Sequence, residues 1–298
     1  MLESIAVPGY TRAAHVRVQP GEAAAVLAEA QDEALEHLSV TVTSNVDLSP
    51  LGELSSLKSL IVVGDLLRHD GFVARLRNLK RLQLFTHATS SLDFSGLGAL
   101  RELRFRWRPK VAGLASLPHL ASLTVSGFSG SAEPKLLSSL PSLKRLQLEN
   151  SRLESFADLG VPQALERLTL AYNPALTSSE NLTSPETLQI VGLQSCKHFN
   201  SEQHLSNARL LALRLENQGS IPSLGFLANS RELEQLELFG DTNIEDGRLR
   251  GLVGLGTLWR FKFRARRHYD ITPGEVAASL SARAPPEGFQ LPWSIGQA

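Results

Sequence analysis

The chain has 298 residues, 42% of them hydrophobic, and its 30 basic and 30 acidic side chains cancel to a formal charge of zero. That is enough apolar content for a continuous core, and neutrality removes any whole-molecule electrostatic reason to expect nucleic acid or an anionic membrane. No run approaches the roughly 20 apolar residues of a spanning helix, which excludes a helical membrane protein.

The first residues, MLESIAVPGYTRAAHVRVQP, lack the basic start and apolar run of a secretory signal. The single cysteine, Cys196, cannot form an internal disulfide. From both features we expect a reducing cytoplasm. GEAAAVLAEAQDEA (21–34) reads as an alanine-rich amphipathic helix, and residues 1–34 are expected to form an N-terminal cap.

From Leu35 onward one pattern recurs. It is a nine-residue block with apolar side chains at its first, fourth and sixth places, seen as LEHLSVTVT at Leu35 and LERLTLAYN at Leu165. The fourth-place anchors are Leu38, Leu60, Leu82, Leu103, Leu123, Leu146, Leu168, Leu188, Leu213, Leu236 and Phe261, spaced 20 to 25 residues apart. One step of 22 residues back from Leu38 reaches Val16 in HVRVQ, which suggests a degenerate further turn inside the cap.

A short strand sends alternate side chains to opposite faces, so the fourth and sixth places point into one core. A single turn cannot bury them, whereas turns stacked at about 4.8 Å build a parallel sheet over a column of leucine. Between strands, LSPLGELSSLKSL (48–60) has leucines every three residues with Ser-Pro and Gly breaks. That suits short 3₁₀ or irregular segments better than a long α-helix. After the last block, TPGEVAASLSARA carries Thr272 as a helix N-cap with Pro273 at the first helical place. Residues 267–298 are read as a C-terminal cap, with Phe289, Leu291 and Trp293 of the tail folded back over the last rung.

These blocks resemble the leucine-rich repeat family, and the 48–60 stretch is similar to its short bacterial, internalin-like class of about 22 residues per repeat. The resemblance spans residues 35–266. It implies an α/β solenoid with a concave parallel β-sheet, short 3₁₀ or irregular convex segments and helical caps at both ends. The family's ninth-place asparagine is kept only at Asn173. The other ninth places read Thr43, Asp65, His87, Arg108, Phe128, Ser151, Leu193, Gln218, Asp241 and Arg266, so a continuous asparagine ladder is not expected.

No catalytic or metal motif stands out. The eight histidines form no HExxH, and neither a GxSxG nor a phosphate-binding loop occurs. His15 and His37 fall at the same outward place on successive rungs, where a solvated pair is the plain reading and a two-ligand metal site the alternative. Cys196 is read as a buried structural thiol, and Asn181-Leu182-Thr183 as a coincidental glycosylation match. We therefore expect no enzyme, no cofactor, no metal and no small-molecule substrate.

The informative residues are the third, fifth and seventh places, which face outward on the concave sheet. They carry Arg17, Arg81, Arg104, Arg106, Arg145, Arg167, Arg214, Arg260, Lys262 and Arg264 against Glu102, Glu149, Glu216 and Glu237, ten cations to four anions. Phe85 and Phe239 at seventh places, and Trp107 and Tyr172 at eighth places, add rings of the kind that interfaces favour. Ile61 and Val63 make the early rungs drier.

The reading is a non-catalytic binder that holds an acidic protein partner on this face, most simply an inhibitor or immunity-type protein. The alternatives are a recognition module of a secreted effector or larger complex, and nucleic-acid binding through the basic strand WRFKFRARRH, which neutrality of the chain disfavours.

Overall fold

A computed structural model describes residues 2–129, 135–157, 159–160, 162–177, 187–201, 205 and 209–285. The Asn181 sequon and the tail with Phe289, Leu291 and Trp293 lie outside the described residues. The chain divides into two compact units, Met1–Leu143 and Lys144–Ala298, each described in turn.

In the first unit the strands are β1 (Glu3–Ser4), β2 (Ala13–Val18), β3 (His37–Val42), β4 (Ser59–Gly64), β5 (Arg81–Thr86), β6 (Leu92–Asp93), β7 (Glu102–Arg106), β8 (Val111–Ala112) and β9 (Ser122–Ser126). The sheet order is β1-β2-β3-β4-β5-β7-β9. All neighbours are parallel except β1, which pairs antiparallel with β2. Register pairs Leu38 with Leu60, Leu60 with Leu82, Leu82 with Leu103 and Leu103 with Leu123, and all five side chains are buried. This is the leucine column that the spacing demands. The return paths hold helix α1 (Ala23–Asp32) and 3₁₀ segments at Ser49–Glu53, Gly71–Arg75, Leu114–Ser116 and Leu136–Ser139.

In the second unit β10 (Arg145–Glu149), β11 (Arg167–Ala171), β12 (Ile190–Gln194), β13 (Ala212–Glu216), β15 (Gln235–Phe239) and β17 (Arg260–Phe263) are parallel neighbours in that order. The short strands β14 (Ser220–Ile221) and β16 (Asn243–Ile244) pair separately, and 3₁₀ segments cover Gly225–Asn229 and Arg250–Gly254. Helix α2 (Pro273–Leu280) starts at Thr272, whose hydroxyl accepts from the Glu275 N–H while the Glu275 side chain reaches back to the Thr272 backbone. Val276 and Leu280 are its buried residues. Among the described residues no helix is long and apolar enough to cross a membrane.

Register corrects the sequence reading at two rungs. Leu168 pairs with Val191, not with Leu188. The block therefore begins at Leu188, with Val191 and Leu193 pointing inward and Cys196 at the ninth place. PETL at 185–188 imitates the first four places, and only strand pairing removes the three-residue slip. At the start of the chain Leu38 pairs with Ala14, not Val16. His15 is consequently opposite Ser39 and His37 opposite Ala13, so the two histidines are not cross-strand partners. The His15 Nδ1 lies 3.2 Å from the Ser39 hydroxyl, and that of buried His37 lies 2.8 Å from Ser59 Oγ.

Candidate binding face

On the first unit, outward places on neighbouring strands meet as pairs. Arg81 is opposite Glu102 and Gln83 is opposite Arg104, and the Arg81 Nε stands 3.4 Å from a Glu102 carboxylate oxygen. The Arg104 guanidinium lies over the Phe85 ring, 4.9 Å from its centroid, a cation–π contact that orders a long side chain before any partner arrives. Arg106 is exposed and sits 2.6 Å from His87 Nε2. Trp107 is half-buried and tilts onto Phe128 at 4.5 Å and Phe105 at 6.2 Å. This ring is therefore shared between the face and the core edge. Burial, followed by the Arg81 cation, holds His37 below its ordinary range.

On the second unit the cations are drawn into a network. Arg214 donates twice to one Glu216 carboxylate oxygen, at 2.7 and 3.2 Å, and Arg260 donates to Glu237 at 2.6 Å. Glu237 is 2% exposed and also faces Arg214 at 3.8 Å. Arg214 lies over Phe239, 5.0 Å from the ring centroid. Arg145 and Arg167 are register partners, and both are half-buried. Burial first, then the Arg145 cation, lowers the Arg167 pKa against the opposing pull of Glu166. Lys262 and Arg264 stand exposed. In the strand proposed for nucleic acid, Arg260 is committed to Glu237, Arg266 donates to the Asp241 and Thr242 carbonyls, and the His268 Nε2 lies 2.9 Å from the Ile244 carbonyl. Half of that cation cluster thus serves the fold.

Tyr172 is 47% exposed and holds φ at +57°. The eighth place is left-handed in six successive blocks, at Gly127, Asn150, Tyr172, Ser195, Asn217 and Gly240. Four of the six are glycine or asparagine, for which that conformation is cheap or tolerable. A tyrosine there is strained. Its hydroxyl accepts from Gln194 at 3.0 Å.

The ninth places beneath this turn explain how the unit dispenses with repeated asparagine. Buried Asn173 donates to the Leu148 carbonyl of the preceding strand and the Ala171 carbonyl of its own. Cys196 makes the same two contacts, to Leu170 and Gln194 carbonyls at 3.5 and 3.4 Å. Gln218 bonds the Glu216 carbonyl at 2.8 Å, and in the next block Thr242, one place after the ninth-place Asp241, bonds that of Leu215 at 3.2 Å. The same orphan carbonyls are satisfied by unlike donors. Burial pushes the Cys196 thiol up, away from the reactive thiolate.

The first unit uses a different device at one ninth place. Arg108 forms a bidentate pair with Asp70, both bonds at 2.8 Å, and both residues are buried. Thr86 donates to one Asp70 oxygen at 2.8 Å and Ser90 to the other at 3.0 Å. Among the described residues no group of three or more His, Cys, Asp or Glu could hold a metal.

No protein-family model matches the chain, and a search of the curated proteins returns no match. Among solved structures an internalin from Listeria monocytogenes superposes with a TM-score of 0.54 at 20% identity, over 90% of this chain and 71% of that one. The chain has the leucine-rich-repeat fold. A leucine-rich-repeat protein of Leptospira interrogans aligns at 17% identity and TM-score 0.48, over 89% of this chain and 80% of its own. A plant ice-binding protein aligns at 16% identity and TM-score 0.41, over 73% and 76%.

In a leucine-rich-repeat fold the outward sheet face is rigid and fixed in register, and each unit brings a subset of the expected residues together on it. Arg81, Phe85, Arg104 and Arg106 gather on β5 and β7 of the first unit. Arg214, Phe239, Arg260 and Lys262 gather on β13, β15 and β17 of the second. Sequence reasoning missed Glu237 as the hub of the second set, although its fifth place between Arg214 and Lys262 was readable once the rungs were aligned.

Proposed function

We propose that the chain is a non-catalytic protein-binding solenoid that holds an acidic partner on the outward, concave side of its sheet, and that it works by occupying that partner, as an inhibitor or immunity-type binder does. The observation that carries this reading is the Arg104–Phe85 stack, which is at once ordered and open to solvent. A side chain held in place before binding loses little entropy on contact, and arginine beside an aromatic ring is the composition of an interface hot spot. Arg81 and Arg106 extend the cationic field around it. The pairing of Arg81 with Glu102 leaves a mixed surface, which favours a specific protein over indiscriminate binding of polyanions.

Site-specific photocrosslinking tests this proposal. A photoreactive residue in place of Gln83 on the face, irradiated in the cell that makes the protein, should give one discrete protein adduct, whereas the same residue in place of exposed Glu53 on the return path should not. Adducts from Glu53 alone would refute the reading.

A further inference from the structure

Four large apolar side chains stand exposed among the described residues: Val63 at 40%, Leu66 at 61%, Phe85 at 37% and Tyr172 at 47%. Three of them gather in one place. Val63 and Phe85 are register partners on β4 and β5, about 4.8 Å apart across the sheet. Leu66 sits in the tight turn that follows β4, closed by the Leu67 N–H on the Gly64 carbonyl at 3.2 Å. The outward face therefore continues as a dry strip over the strand end onto the turn. On the flanking strands the equivalent seventh places are Thr41 and Arg106, so the strip has polar edges.

Charge on the outward places beside the strip is one-sided, with Arg81, Arg104 and Arg106 on β5 and β7 against Glu102. Residues 54–143 contain twelve Lys and Arg against five Asp and Glu, a surplus of seven. Residues 1–53 contain two against eight. The Arg104 guanidinium, stacked on Phe85, places one cation at the strip itself.

We infer that the strip formed by Val63, Leu66 and Phe85 is the anchor point of the interface, and that its occupant is a segment of a partner protein with a large apolar side chain flanked by carboxylates. The inference rests on the protein-binding reading above. The apolar side chain covers Leu66 and Val63 and removes their exposed surface from water. The flanking carboxylate meets the Arg104 guanidinium through a charge-assisted contact while the Phe85 ring shields one side. A phosphate backbone would satisfy the arginine and leave Val63 and Leu66 wet, which is why a protein segment is the better occupant.

The test is selection of short random peptides, displayed on phage, against the full chain. The enriched peptides should pair a Leu, Ile, Phe or Trp with neighbouring Asp or Glu. Their affinity should fall by at least about tenfold on Leu66→Ser and on Arg104→Gln, and stay unchanged on Glu53→Lys at the exposed return path. Leu66 is in an exposed turn, so its variant should melt with the wild type. Enriched peptides that ignore Leu66→Ser and Arg104→Gln but weaken on Lys262→Ser would overturn the anchor and leave the binding reading intact. If no peptide is enriched, both are overturned.

Discussion

Removing Asp70 should be the most damaging single change on the first unit. The carboxylate is fully buried and receives four hydrogen bonds from the next two turns of the coil: two from Arg108 at 2.8 Å, one from Thr86 at 2.8 Å and one from Ser90 at 3.0 Å. Asp70→Ala would strand the Arg108 guanidinium, itself 6% exposed, with its charge uncompensated. Breaking a buried pair from one side costs about 3–5 kcal/mol, because the remaining ion keeps its desolvation penalty without its partner. Replacing both at once, Asp70→Leu with Arg108→Met, removes that penalty and should recover most of the loss, since apolar substitutes of similar volume are often neutral or better. Urea unfolding followed by circular dichroism measures the midpoint of wild type, single and double variants. If Asp70→Ala shifts stability by less than about 1 kcal/mol, or if the double variant is worse than the single, the pair is not the clasp described.

Three further outcomes follow from the same geometry. Leu168 is 1% exposed at the centre of its strand, so Leu168→Ala should destabilise by roughly 2–5 kcal/mol, and a denaturation midpoint near wild type would contradict the leucine column. His37 is held below its ordinary 6.5 by burial and then by Arg81. The unfolded chain therefore takes up this proton at higher pH than the folded one, and stability is complete above 6.5 and declines as pH falls from there toward the folded value. His37→Gln should flatten that part of the melting-temperature profile, and an unaltered slope would exclude His37 as its source. Tyr172→Asn should raise stability by about 0.5–1 kcal/mol, because asparagine tolerates the left-handed turn that tyrosine resists; a lowered melting temperature would show that the contact with Gln194 outweighs the strain.

The leucine column was legible because its signal is a period, repeated often enough to survive local exceptions. Single rungs were less secure. PETL imitated the first four places at 185–188, and Val16 fell at the average spacing although Ala14 is the true partner of Leu38. The carbonyl ladder stayed hidden because its donors differ in kind, Asn173, Cys196 and Gln218 at ninth places and Thr242 one place later in its block. Asp70 and Arg108 lie 38 residues apart, and no local pattern links them. On the face, the identity of outward residues was readable, but their state was not. Whether Arg260 faces a partner or closes on Glu237 depends on side-chain geometry that a column of letters does not carry. Trp107 was read as an interface ring, and its packing on Phe128 ties it to the core edge as well, so it is a poor choice for separating binding from folding.

Affinity and melting temperature measured together, with the protein captured through the face, are the direct test of the account. For Arg104→Glu and Arg106→Glu the account predicts a loss of at least about 2 kcal/mol of binding at an unchanged melting temperature, and no loss for Glu53→Lys on the return path. Binding that survives both arginine reversals and fails on Glu53→Lys would contradict it.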